Sequence, residues 1–189
     1  MVEEVRETFE TKVKIVLNLD GKGVCKVSTR YEFFDHMLRT ITKHSLFDLE
    51  VDASGDLKHH VIEDVALTLG HALKKALGDK KGIQRFGYAY VPMDDALARA
   101  VVDLGGRSFV VVSLKTKAKK IEDTPIEDLT HFYDALAQTA QMNIHLHVLH
   151  GENNHHKIEA VFKAFALALR KAVSIDLQRE GVASAKGVI

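Results

Sequence analysis

The chain has one cysteine, two prolines, no tryptophan and no excess of either charge. A lone thiol, Cys25, rules out an internal disulfide framework and fits a reducing compartment. Lys+Arg and Asp+Glu both count 26, so there is no global basic field for nucleic acid or an anionic membrane. Any anion site must be built locally. No apolar run approaches the ~20 residues of a membrane span, and Met1-Val2-Glu3-Glu4-Val5 is not patterned as a signal peptide. The expected location is cytoplasmic. What remains is an ordinary globular composition, 46% hydrophobic and 28% charged, over 189 residues. The abundance lies in histidine: 11 residues, gathered between His36 and His71 and between His131 and His156. Neutral imidazole is the commonest metal ligand, so this clustering asks for a chemical reason.

Alternating hydrophobicity over residues 5–19 predicts a half-buried strand, Asp20-Gly21-Lys22-Gly23 a turn, and residues 24–28 its hairpin partner. Phe34, Leu38 and Ile41 predict a helix over 33–44, and residues 46–51 read as a strand. Val65, Leu69, Leu73 and Leu77 predict a helix over 60–77, ended by Gly78. After Gly82 the order repeats, with strands at 88–91, 96–104 and 108–114 around a Met93-Asp94-Asp95 turn. Thr124, Pro125 and Glu127 read as N-cap, first-turn proline and capping-box acid of a helix reaching about Gln141. A strand at 144–149 and a long helix over 155–175 complete the series, while the basic run 115–120 reads as a solvated loop. Two like series predict an α+β fold of duplicated halves, 1–81 and 82–189, each a sheet covered by two helices, within one compact unit.

The duplication carries chemistry. His59-His60-Val61-Ile62-Glu63 returns 96 positions later as His155-His156-Lys157-Ile158-Glu159, each at a helix head. On a helix the acid lies near both rings, at three- and four-residue spacing. His36 precedes His59 by 23 residues and His131 precedes His155 by 24. Capping would explain one pair, but not the same acid offset twice with an upstream histidine each time. A structural zinc site would favour several thiolates, and the chain has only Cys25. A catalytic pair of metals with histidine and carboxylate ligands is the better reading. Adjacent residues on a helix diverge by ~100°, so each His-His pair serves two ions, within one subunit or across two. His71, His147 and His150 read as surface or core histidines. Arg85, Arg107, Lys163, one turn beyond Glu159, and Lys186 form a local cationic set suited to phosphate.

Phe33-Phe34-Asp35-His36-Met37-Leu38, His59-His60 with Glu63-Asp64, Arg85-Phe86-Gly87, Asp103 through Arg107, Gly151 through Lys163 and Ser184-Ala185-Lys186-Gly187 resemble the imidazoleglycerol-phosphate dehydratase family. The resemblance spans essentially the whole chain. It implies ribosomal-protein-S5-domain-2-like halves, each a four-stranded sheet covered by two helices. The implied reaction dehydrates D-erythro-imidazole glycerol phosphate to imidazole acetol phosphate in histidine biosynthesis. It further implies two manganese ions (Mn2+) per active site and a homo-oligomer of 24 subunits with sites between subunits. By position, His36, His60, Glu63 and His156 are assigned to one metal, and His59, His131, His155 and Glu159 to the other. Arg85, Arg107, Lys163, Ser184 and Lys186 are assigned to phosphate, and His36 and His44 also to substrate. Glu10 matches the family's acid/base and substrate-contacting glutamate, with Glu63 and Glu159 as further catalytic carboxylates. The pattern departs at Thr40, Val61 and Asp95 and in the short approach Gly55-Asp56-Leu57-Lys58. Two other classes compete: a two-metal hydrolase of a phosphorylated small molecule, and a non-catalytic RNA-binding or assembly module. Glu159→Gln or His155→Ala is expected to abolish turnover and bound manganese, whereas His147→Ala leaves both near normal, as metal analysis beside a dehydration assay would read.

Overall fold

A computed structural model describes all residues 1–189. The first strand, β1 (Val2–Glu7), turns through Thr8–Glu10 and returns antiparallel as β2 (Thr11–Asn18). The single strand expected over 5–19 is therefore a hairpin. Alternation cannot reveal the turn, and the turn changes which parity faces inward. Val5 pairs with Lys14 on the outside, while Arg6 pairs with Val13 and faces in.

The third strand, β3 (Cys25–Ser28), is not the hairpin partner of β2. It runs parallel to β4 (Asp48–Gly55), and α1 (Glu32–Ser45) makes the crossover. Asp48 decides this, because its Oδ1 accepts from the N–H groups of Lys22 (2.8 Å) and Val24 (2.9 Å), pinning the approach to β3 at the start of β4. The half closes with α2 (Lys58–Leu77).

The second half repeats the plan through β5 (Phe86–Met93), β6 (Ala96–Asp103) and β7 (Phe109–Ser113). A small ladder of β8 (Lys120–Ile121) and β9 (Thr124–Pro125) precedes α3 (Ile126–Ala140), followed by β10 (Asn143–His150) and α4 (Asn154–Val173). Thr124 is not the cap of α3. Pro125, extended at ψ 141°, holds that position, and the Thr124 hydroxyl donates to Asp123 instead. The two main sheets have matching orders, β1-β2-β4-β3 and β5-β6-β10-β7, each with one parallel pair, the α+β duplication that the sequence implies.

Helices cross between the halves: α1 packs on α4 and α2 on α3, while α2 covers β1 and β2 and α4 covers β5 and β6. One core of 47 buried residues runs through both. No helix is long and apolar enough to cross a membrane. The α2–α3 contact depends on Gly70, where an added Cβ would lie 2.0 Å from Thr139 Oγ1 and 2.7 Å from the Leu136 carbonyl oxygen. Overpacking of a close backbone contact costs about 1–3 kcal/mol. Gly70→Val should lower the thermal midpoint by about 2–4 °C for each kcal/mol lost, read by calorimetry against wild type.

Candidate functional site

The head of α4 is set by two side chains. Asn153 caps the helix, accepting from the N–H groups of His155 (2.8 Å) and His156 (3.2 Å). Asp95, on the β5–β6 turn, accepts from the N–H groups of Glu152 and Asn153 and, at 2.6 Å, from His156 Nδ1. The His156 hydrogen bond and then these backbone donors hold the Asp95 carboxyl far below the usual carboxylate range.

Two groups of donors converge within one chain. In the first, Glu159 Oε2 lies 3.2 Å from both His36 Nε2 and His155 Nε2, and its Oε1 lies 2.9 Å from Lys163 Nζ. Burial would raise this carboxyl, but hydrogen bonds from Lys163 and His36 outweigh it and lower it to about 2. In the second, Glu63 lies 3.3 Å from His131 Nε2 and 3.8 Å from His59 Nε2, with the two rings stacked at 5.0 Å. All six atoms are of metal-ligating type, and each trio falls within 4.8 Å. His131 Nε2 is buried and, although 3.3 Å from Glu63, is not angled to hydrogen-bond with it, so this nitrogen has no hydrogen-bond partner.

The remaining ring nitrogens explain the orientation. His59 Nδ1 contacts Asp128 (2.8 Å), His60 Nδ1 Asp56 (2.8 Å) and His155 Nδ1 Glu122 (3.3 Å), as His156 Nδ1 contacts Asp95. A carboxylate on Nδ1 places the ring proton there and leaves the Nε2 lone pair to point outward, the arrangement of histidines that bind metals. Asp128, Glu122 and Asp56 escaped sequence reading. Asp128 and Glu122 sit in elements remote in sequence from the rings they hold, whereas Asp56, four residues before His60, lies at a spacing that could have signalled it.

One chain does not assemble either four-residue ligand set. His36 meets His155 and Glu159 rather than His60, Glu63 and His156; His59 and His131 meet Glu63 rather than His155 and Glu159. His156 is turned to Asp94 and Asp95 of the β5–β6 turn, and His60 to Asp56 in the loop before α2, with Glu10 of the β1–β2 turn further off at 3.7 Å.

The phosphate set is also divided. Arg85 donates to Asp103 through Nε (2.6 Å) and Nη2 (3.0 Å) and through Nη1 to the Ala183 carbonyl (2.7 Å), so it holds the tail and keeps two N–H groups free. Bridges Lys81↔Val182 and Ile83↔Ile175 fix the segment that leads into the tail. Buried Lys80 donates to the Leu104 carbonyl (3.0 Å) and steadies the loop leading to Arg107. Arg107 and Lys186 are exposed, and Ser184 Oγ accepts from the Lys186 N–H (3.2 Å). Lys163 stands apart, beside Glu159 and Met93 Sδ, whereas the Arg85 N–H bonds Ala172, nine residues and ~13 Å further along α4.

Glu10 tips the β1–β2 turn with Oε2 3.7 Å from His60 Nδ1. His44 is half-buried; burial lowers its pKa, the Lys163 charge adds to this, and Glu159 opposes it. Thr40 is buried and its hydroxyl donates to the His36 carbonyl, and Val61 is in the core. His71 and His150 are exposed, and His147 leans on Arg99.

The imidazoleglycerol-phosphate dehydratase family model matches residues 29–169. The chain is 48% identical to imidazoleglycerol-phosphate dehydratase of Dehalococcoides mccartyi over 185 residues, 97% of this chain and 94% of that one. It is 52% identical to that of Methanothermobacter thermautotrophicus over 176 residues, 92% and 90% of the two chains. Among solved structures, the enzyme from Pyrococcus furiosus superposes with a TM-score of 0.84 at 35% identity, over 98% of this chain and 99% of that one. The Staphylococcus aureus enzyme gives 0.82 at 33% identity, over 93% and 100%.

Because the folded-state pKa of Glu159 is depressed, its contribution to stability is present above its ordinary value of 4.5 and lost as pH falls toward about 2. Metal-free Glu159→Gln should therefore show a flatter loss of stability across that window than metal-free wild type, measured by denaturant midpoints at each pH.

Proposed function

The chain belongs to the imidazoleglycerol-phosphate dehydratase family, and we propose that its active site is a two-metal centre completed between copies. In it, the α1/α4 cluster of one copy meets the α2/α3 cluster of another. The reaction is removal of water from imidazole glycerol phosphate, a hydro-lyase step of histidine biosynthesis.

One feature carries this reading: each cluster mixes members of both family ligand sets, and neither set is whole in one chain. His36 and His156 from one copy with His60 and Glu63 from another complete the first set. His155 and Glu159 with His59 and His131 complete the second. The orphaned His131 nitrogen and the carboxylates behind four of the rings fit ligand roles. Imidazole and carboxylate donors suit manganese, two ions per site, although the same donors also accept iron, cobalt or zinc.

Dehydrating this substrate requires proton removal from a carbon beside an imidazole, with no carbonyl to acidify it. Bound divalent ions would supply Lewis acidity toward the ring and fix its orientation. Glu10, exposed at its turn tip beside His60, moves the proton. Glu63 and Glu159 supply the negative charge of the ligand sets, and Lys163 keeps Glu159 ionised. Arg85, Arg107, Lys163, Ser184 and Lys186 hold the phosphate, which anchors the substrate away from the reacting carbons. The separation of Lys163 from Arg85 in one chain supports a phosphate pocket that is likewise shared. His44 lies near enough to Lys163 and Glu159 to feel both charges, and it serves the substrate side of that site. The assembly is a closed homo-oligomer of 24 chains, in which every chain gives both clusters to neighbours.

Co-expression of His155→Ala and His59→Ala chains tests the shared site. Each variant alone is expected to be inactive, and random mixing restores about a quarter of wild-type sites, those with both clusters intact. Absence of recovery in mixed particles would overturn the shared site. Native mass with metal analysis, before and after chelation, should give two metals per chain in particles of 24. Release of inorganic phosphate in place of imidazole acetol phosphate would point to the hydrolase reading.

A further inference from the structure

A polar network ties the β1–β2 turn to α2 and has no counterpart in the second half. Asp64, buried beside Glu63, accepts from Arg6 Nε at 2.7 Å through Oδ1 and from the Thr11 hydroxyl through Oδ2. Thr11 adjoins Glu10, and the Thr8 hydroxyl accepts from the N–H groups of both Glu10 (3.1 Å) and Thr11 (3.0 Å). The Glu10 carbonyl in turn accepts from the Asp56 N–H at 3.1 Å. The Glu10 backbone is held from both sides while its side chain stays exposed.

Strand register identifies the equivalent positions. The β5–β6 turn, closed by the Met93↔Ala96 pair, stands where Thr8–Thr11 stands in the first half. Val91, Ala96 and Ala160 therefore occupy the places of Arg6, Thr11 and Asp64, and all three are buried. Asp95 occupies the place of Glu10. Its carboxylate is consumed by His156 Nδ1 and by two backbone N–H groups. In the first half Asp56 has taken over the corresponding ring, His60 Nδ1, at 2.8 Å. Glu10 is thereby released. A buried ionic network carries a desolvation cost that an apolar trio does not, and the second half demonstrates that the trio packs in this fold. Filling space does not account for the network.

We propose that Asp64 is a positioning residue which, through Thr11 and Arg6, fixes the turn that aims the released carboxylate of Glu10 at the substrate. This rests on the reading of Glu10 as the group that moves the proton. Misplacing a reacting group by ~1 Å can cost ~100-fold in rate, and residues acting through one another are non-additive.

The test is a double-mutant cycle on the metal-loaded assembly. Asp64→Asn is expected to lower kcat by ~10–100-fold, with KM, metal content and particle mass unchanged, and to cost nothing further in a Glu10→Gln background. Thr11→Ser should retain wild-type kcat and Thr11→Val should match Asp64→Asn. The triple change Arg6→Val, Thr11→Ala, Asp64→Ala, copied from the second half, provides a folded variant with the same expected loss. Multiplying losses in the cycle, or loss of metal in proportion to activity, would overturn the proposal. Wild-type kcat in Glu10→Gln would instead overturn the reading of Glu10, whatever Asp64→Asn does.

Discussion

Neighbouring side chains on a helix point ~100° apart, and the rest of this structure answers to that angle. His59 and His60 cannot face one ion, nor can His155 and His156. Each pair therefore serves two directions, and carboxylates from other elements stand behind each ring to hold it there: Asp128 and Asp56 in one head, Glu122 and Asp95 in the other. The four acids come from α3, the loop before α2, the β8–β9 turn and the β5–β6 turn. A fold of this complexity is what it takes to bring them to two helix heads. Each cluster brings together three donors, one carboxylate and two imidazoles, drawn from helices of both halves.

Duplication supplied matched parts, and the functional site uses their differences. Both halves have the same strand order, the same parallel pair and the same histidine head. They differ in which acid stands behind the second ring: a hairpin residue, Asp95, in one half, and Asp56, one turn before His60, in the other. The cations are divided in the same way. Lys163 belongs to a ligand cluster, whereas Arg85 belongs to the clasp that fixes the C-terminal tail.

Much of this was legible in the sequence because helical periodicity and motif offset survive any packing. The helices were placed within a residue or two, and Glu63 and Glu159 were identified by their spacing alone. Strand partners were less legible. Period-two alternation looks the same through the turn at Thr8–Glu10, and the partner of β3 depends on Asp48 capturing a loop. Thr124 has the composition of a cap, yet the β8–β9 ladder claims it first. Which donors would meet in one chain was beyond reach for a different reason. Chain-internal clustering follows from the cross-half packing of α1 on α4 and α2 on α3, and no spacing rule encodes it.

That cross-half packing also bears on how the chain is made. The last helix, α4, is the packing partner of the first, α1, and its contacts with β5 and β6 cover the second sheet. During synthesis the first half emerges before α3, the partner of α2, and before α4, which begins more than 100 positions after the end of its partner α1. Folding to completion therefore waits until α4 has been made and can dock on α1, β5 and β6. The first half is thus made before many of the residues that complete the shared core.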